Sequence, residues 1–409
     1  MSNTTGLAAA GGYSSDTGRT ITIGLLWHSL NSGNLGVGAL TLANIAIVRE
    51  VATKMGLRLR FVIMAPRDQG TPALPIEDAE VFVIDRRSTI SSRDFWRAVG
   101  GVDCVLDIGA GDSFADIYGP KRFAFLWLTK MMTIMRHVPL VLSPQTIGPF
   151  TKPAYKAPAA WAMSKSRVVF ARDEASRAVA SAMAPDANVQ LSVDVAFVLP
   201  FEDRSHERGS SMLRVGVNVS GLLLHEAESG RNRFGLSYDY AAFTRGLLTT
   251  LSARDDVEIH LVPHATSNRD AADDDGCAAD RLAAEFPAAI RVPNFVGPSE
   301  AKSYISSLDF LVAGRMHACI GAFSAGTPVI PIAYSRKFSG LFGLLGYDKI
   351  VPVQGNDDAD VQALVMQGLA NRHALAQDMR AGMARVTALL DVYRVELQSL
   401  LGDIMGRRA

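Results

Sequence analysis

The chain has 409 residues, 48% hydrophobic and 20% charged, ordinary values for a globular protein and length enough for two or three domains. Its 41 Lys and Arg balance 41 Asp and Glu, so there is no global basic field to hold nucleic acid or an anionic bilayer, and an anionic ligand must be held by a local cluster. Three scattered cysteines, Cys104, Cys277 and Cys319, read as thiols in a reducing compartment, and no CxxC pair, HExxH or carboxylate run marks a metal site.

Residues 1–20 are rich in Ser, Thr, Gly and Ala and lack a basic stretch followed by an apolar core, which predicts a disordered tail and no signal peptide. Residues 21–27 (ITIGLLW) predict a buried strand, 31–38 (NSGNLGVG) a glycine-rich loop and 39–55 a helix. This opens a Rossmann-like unit. The glycines do not match GxGxxG and no acid ends the next strand (57–65), which disfavours a dinucleotide. Within the loop, Asn31 and Gly33 are candidates for close approach to a ligand, although a tight turn alone explains the glycines equally well.

Strands are expected at 81–84 and 102–108, with a helix at 93–99 between them. The second strand ends in Gly109-Ala110-Gly111-Asp112-Ser113-Phe114, where Asp112 reads equally as a general base or sugar-hydroxyl acceptor and as a helix N-cap. Lys121 and Arg122 read as a solvated helix face that could extend a pocket. Residues 123–138 are the most membrane-like stretch, but Lys130, Arg136 and His137 make it too short and too charged to span. A strand at 138–143 runs into Pro144-Gln145-Thr146-Ile147-Gly148-Pro149-Phe150, in which Gln145 and Thr146 have hydrogen-bonding reach. The strand at 167–171 ends in Arg172-Asp173-Glu174, and residues 187–199, with Asp194 at a turn, close the first half.

The polar segment 202–211 reads as a linker, after which the alternation restarts with strands at 213–219 and 257–262 around a helix at 238–252. The second strand ends in Pro263-His264 and precedes an acidic surface loop at 273–275. The strand at 308–313 breaks at Gly314 before Arg315-Met316-His317, where a small-residue helix starts. A helix start there would offer backbone N–H groups and the positive end of its dipole to an anion, beside both cationic side chains. Gly326 and Pro328 stop that helix, and the strand at 329–333 carries Tyr334, Ser335, Arg336 and Lys337 at its C-terminal end. An Arg at a helix start is commonly a surface ion pair and a lone His commonly structural, yet three such groups at consecutive turns favour a site. Residues 360–405 are helical by periodicity. The expected fold is α/β, with two Rossmann-like domains at 21–200 and 212–370 facing across a cleft, a 201–211 linker and C-terminal helices at 371–409.

Taken together, the Gly109 to Phe114 and Pro144 to Pro149 motifs, Arg172-Asp173 with Ser176, Asp194 to Phe197, Val262-Pro263-His264, Arg315-Met316-His317, and Pro328 to Tyr334 with Lys337 resemble the polysaccharide pyruvyl transferases, in the family's order. The resemblance implies a GT-B-like fold and transfer of pyruvyl from phosphoenolpyruvate to sugar hydroxyls as a ketal. It implies Arg315, His317, Lys337 and Arg172 as donor-binding and catalytic groups, no cofactor beyond the donor itself, and no nucleic-acid partner. His317 is the acid–base candidate, with Asp112 or His264 serving the acceptor hydroxyl and Tyr334 adding substrate contacts. A lipid-linked saccharide acceptor, cytoplasmic residence and peripheral contact with the inner membrane face fit the same reading. Two positions depart from the family pattern: Asn34 stands where an acid is usual and Ala110 interrupts a triple glycine. A nucleotide-sugar glycosyltransferase on this fold, with Glu300 as its ribose acid, and a catalytically silent sugar- or anion-binding protein are the alternatives.

Overall fold

The computed structural model describes residues 20–67, 74–111, 114–209, 211–267 and 270–408. Asp112 and Ser113, and the expected tail apart from Thr20, lie outside the described residues.

The first domain is a seven-stranded parallel sheet in the order β3-β2-β1-β4-β5-β6-β7. Its strands are β1 (Thr20–Leu26), β2 (Arg58–Pro66), β3 (Ala79–Ile84), β4 (Cys104–Asp107), β5 (Leu140–Gln145), β6 (Val168–Ala171) and β7 (Val189–Leu191). The helices between them are α1 (Leu35–Lys54), α2 (Asp94–Gly100), α3 (Pro120–Met135), α4 (Pro153–Lys165) and α5 (Glu174–Met183). Strands β4, β5 and β6 are buried along their whole length, as continuous apolar runs covered on both faces must be.

The second domain is a five-stranded parallel sheet, β10-β9-β8-β11-β12. It comprises β8 (Leu213–Asn218), α6 (Gly221–Glu228), α7 (Tyr240–Ser252), β9 (Val257–Leu261), α8 (Asp275–Glu285), β10 (Ile290–Arg291), α9 (Pro298–Ser306), β11 (Phe310–Ala313), α10 (Met316–Ser324), β12 (Val329–Pro331), α11 (Arg336–Leu344) and α12 (Asp358–Ala370). A last helix, α13 (Arg372–Arg408), follows.

Two features join the domains. Helix α1 is long and apolar enough to cross a membrane, yet it is mostly buried, packed against α9, α10 and α13. Helix α13 returns to the first domain, where Tyr393 donates to Asn44 Oδ1 (2.9 Å) and shares a hydrogen bond with Ser143 Oγ (2.9 Å). Asn44 Nδ2 meets His28 Nε2 at 3.0 Å, and His28 Nδ1 lies 3.1 Å from the Leu26 carbonyl. A carbonyl can only accept, so Nδ1 carries the proton and Nε2 accepts from Asn44. Burial holds His28 neutral, with its pKa lowered to about 3.

The expected linker is fastened to the second domain. Glu202 and Arg204 donate their backbone N–H groups to Ser303 and Ser306, and the Arg208 guanidinium caps the carbonyls of Ser306, Ala325 and Gly326 at the ends of α9 and α10. Just upstream, Lys302 Nζ donates to the Phe197 and Leu199 carbonyls at 3.1 and 3.0 Å, clamping the chain where it leaves the first domain.

Candidate active site

Strand β11 delivers Arg315 to the cleft. A Cβ at Gly314 would press against Ser220 and the Tyr240 hydroxyl, so a side chain here would have to displace one of them. Arg315 is the N-cap residue of α10, and its backbone N–H donates to Asn218 Oδ1 (3.0 Å). Its guanidinium is buried and gripped by carboxylates: Nε and Nη2 meet Asp275 Oδ1 at 3.0 and 2.8 Å, and Nη2 meets Asp273 at 2.6 Å. Burial alone would lower its pKa, but the two carboxylates more than offset this and raise it. Asp275, expected in an acidic surface loop, is buried and also accepts the N–H groups of Gly221, His264 and Ala265. Its burial between the ends of β8 and β9 could not be read from a run of three acids.

His317 sits in the first turn of α10, against the glycine loop. Gly36 leaves no room for a Cβ beside His317 Nδ1, so this glycine admits the imidazole rather than a ligand. His317 Nε2 lies 3.8 Å from Asp194 Oδ2, and the same oxygen takes 2.7 Å from Arg172 Nη1. Asp194 thus joins the acid–base candidate to a buried arginine at the C-terminal end of β6. His264 lines the same cleft and is held neutral by burial, with His317 nearby as the next cause, its pKa lowered to about 3.

The start of α11 supplies the third group. Ser335 is its N-cap and makes no side-chain cap bond, its carbonyl accepts from Phe338 N–H (3.1 Å), and Ser335, Lys337 and Phe338 line the cavity. Lys337 Nζ reaches across to the Tyr118 hydroxyl of the first domain (3.2 Å). Arg336 donates to the Gly148 carbonyl (3.1 Å), a second bond across the cleft. Tyr334 packs between Phe234 and Phe338.

These groups surround one cavity of about 320 Å³ between the domains. The structure brings the candidates Arg172, His264, Arg315, His317, Tyr334 and Lys337 together in its lining. Arg122 lines it too, although it reads in sequence as a solvated helix position. Ser29, Ser32, Asn34, Ala110 and Gly111 form the first-domain wall. Among the described residues no carboxylate lines the cavity, while four Arg or Lys side chains and two helix starts do, an arrangement that suits an anion.

Four expected substrate contacts lie elsewhere. Gly33 accepts a hydrogen bond from Thr266 N–H (2.9 Å), next to the bridge between Asn34 and Ala265, and serves as a backbone seam between domains. Asn31 accepts from Ser29 Oγ (3.0 Å) within the loop. Gln145 is buried under the other loop, donating to the Asp107 carbonyl (2.8 Å) with its Oε1 against Gly109. Thr146 is buried as well, its carbonyl accepting from Phe114 N–H (3.0 Å). Below them Asp107 accepts from Gly109 N–H (2.8 Å) and pairs with Lys130 at 2.8 Å, both side chains fully buried. Gln145 and Asp107 therefore shape the Ala110–Gly111 wall from beneath.

Two parallel α/β domains with a cationic cleft at the C-terminal ends of their strands define the GT-B-like fold class. Solved structures share the fold. A putative UDP-N-acetylglucosamine 2-epimerase from Listeria monocytogenes is 11% identical, covering 89% of this chain and 91% of that one, with a TM-score of 0.53. Anabaena Alr3699/HepE, solved with UDP and glucose, is 12% identical over 94% and 99%, with a TM-score of 0.52. The α,α-trehalose 6-phosphate synthase of Burkholderia multivorans is 11% identical over 96% and 98%, with a TM-score of 0.51. No curated protein matches the sequence. The family model for polysaccharide pyruvyl transferase matches residues 53–336, and the chain belongs to that family.

Proposed function

We propose that the protein transfers the pyruvyl group of phosphoenolpyruvate to two hydroxyls of a saccharide, forming a ketal and releasing phosphate, in the cytoplasm. The observation that carries this reading is the cavity wall with cations from both domains and, among the described residues, no carboxylate, because the donor brings a phosphate and a carboxylate within three carbons. One sugar hydroxyl adds to C2 of the donor while C3 gains a proton. The C2–O bond to phosphate then breaks, phosphate leaves with the electron pair, and the second hydroxyl adds to C2 and gives up its proton.

In this scheme His317 moves the proton at C3 or at the attacking hydroxyl, with Asp194 orienting it. Arg172, Lys337 and the start of α11 neutralise the departing phosphate. Arg315, held by Asp273 and Asp275, presents a fixed charge and the α10 helix start to the carboxylate. Glu300, the ribose acid of a nucleotide-sugar alternative, instead accepts Val296 N–H (2.7 Å) as part of the α9 cap. Thermal unfolding with phosphoenolpyruvate, UDP or neither tests the assignment. A donor at about 100 times its Kd adds about 2.7 kcal/mol to the native state, and only phosphoenolpyruvate should raise Tm. A rise with UDP alone would replace this reading with sugar-nucleotide chemistry.

A further inference from the structure

The 56 residues from 117 to 172 contain nine Lys or Arg and no Asp or Glu, in a chain whose charges otherwise cancel. At the chain's average acid content this segment would hold five or six acids. It forms α3, β5, α4 and β6, and its buried or paired cations are accounted for: Lys130 with Asp107, Arg167 with Glu396 and Asp403, Arg172 with Asp194, and Arg122 in the cleft wall. Lys121, Arg136, Lys152, Lys156 and Lys165 remain exposed, and among the described residues none pairs with a carboxylate. Acids at the margin are already engaged, Asp116 by Thr151 and Asp94 by Arg97.

The helix faces that carry these lysines are apolar where a surface helix should be polar. On α3 Lys121, Ala124 and Met135 are exposed, Met135 by 55%, and at the same three- and four-residue spacing Leu128 and Met131 are half-buried between them, packed in part on the core. On α4 the outward stripe is Ala154, Ala157, Trp161 and Lys165, with Trp161 36% exposed and packed against Trp127 of α3. Ile117 and Tyr118, exposed just before α3, continue the patch to the cleft rim, where Tyr118 meets Lys337. Both helices also begin with cations and no acids, Lys121 and Arg122 on α3 and Lys152 and Lys156 on α4. Cations there oppose the helix dipole, which normally attracts acids, and so point to an external anion.

We propose that the outer face of α3 and α4 docks on an anionic phospholipid bilayer. The lysines meet headgroup phosphates while Trp161, Met135 and Ile117 enter the interface, the pattern of an amphipathic surface that lies on a membrane. Because Arg122 and Tyr118 belong both to this face and to the cleft rim, docking sets the cleft at headgroup level. The consequence for the substrate rests on the pyruvyl-transfer reading: the saccharide is presented from a lipid anchored beside α3.

Vesicle co-sedimentation tests the docking itself. Wild type should bind vesicles of equal phosphatidylglycerol and phosphatidylcholine, release them as salt rises, and ignore pure phosphatidylcholine. Lys152→Glu with Lys156→Glu should weaken binding at least about tenfold. Met135→Ser should weaken it at low and high salt alike. Both variants should keep the wild-type Tm and the phosphoenolpyruvate-dependent Tm rise. Failure of wild type to bind anionic vesicles overturns the proposal, as does undiminished binding by both variants. Equally tight binding of dextran sulfate that displaces the vesicles, or a wild-type dimer that the variants break, assigns the face to a soluble polyanion or to a second copy and also overturns it. Vesicle binding without any Tm rise from phosphoenolpyruvate upholds the docking face and removes the donor reading.

Discussion

At the scale of single residues, the site depends on how Asp194 is shared. It accepts from Arg172 at 2.7 Å and from Ala196 N–H at 2.9 Å and lies 3.8 Å from His317 Nε2, so one carboxylate fixes Arg172 and sets its charge beside the imidazole. His317→Ala should leave Tm unchanged and lower kcat by about 10² to 10⁴, the usual worth of a positioned acid–base group. A folded variant with full turnover would remove that assignment. Gly36→Ala makes a sharper test, because the new Cβ displaces the imidazole while the cations stay. It should lower kcat and preserve the donor-dependent Tm rise. Two buried histidines also set the response to acid. His28 and His264 stay neutral in the fold down to about pH 3, whereas in the unfolded chain they take up protons below about 6.5. Their contribution is therefore complete above pH 6.5 and is lost as pH falls toward 3, by up to about 2.7 kcal/mol per unit for the pair. Urea midpoints measured from pH 7 to pH 4.5 should fall steadily, and a flat profile would contradict the neutral assignment.

At the scale of elements, the ends of strands carry the chemistry and the buried pairs beneath them hold the loops. Asp107 at the end of β4 is satisfied by Lys130 from α3 and by Gly109 N–H. Lys130→Met should cost about 3 to 5 kcal/mol, since it leaves a buried carboxylate unpaired. Adding Asp107→Asn should recover part of that loss, which chemical denaturation of the single and double variants will show. The helices α10 and α11 were legible as helix starts or strand ends from Gly314, Gly326 and Pro328, because these residues act locally on the backbone. The roles of Gly33, Gln145 and Thr146 were not. Each sits in a motif that reads as a ligand loop, and only the packing of Thr266, Gly109 and Phe114 against them places them outside the lining of the cavity.

At the scale of the whole molecule, the domains are tied by contacts far apart in sequence: the Gly33 to Thr266 seam, Lys302 on the crossover, Arg336 on Gly148, and α13 on the first domain. Tyr393→Phe removes the hydroxyl shared by Asn44 and Ser143 and should cost about 1 to 3 kcal/mol, read as a lower Tm. Because Tyr393 lies on the last helix and its partners on α1 and β5, the loss should appear in first-domain unfolding.

By itself the sequence determined the alternation of strands and helices and the two-domain plan, though not α6, α8, α9 or β10, and it singled out Arg172, His317, Arg315 and Lys337, which the structure brings to one cavity. Apolar runs, glycines and prolines act through local backbone physics, and the motif series resembles one family along most of the chain. Only the tertiary structure decided that Asp275 is buried against Arg315, that Arg122 lines the cleft, that α13 returns to the first domain, and that Lys121, Arg136, Lys152, Lys156 and Lys165 of the acid-free segment are all exposed. Each of these depends on which distant groups share a low-dielectric interior or a common surface, and neither a net charge of zero nor any local pattern records that.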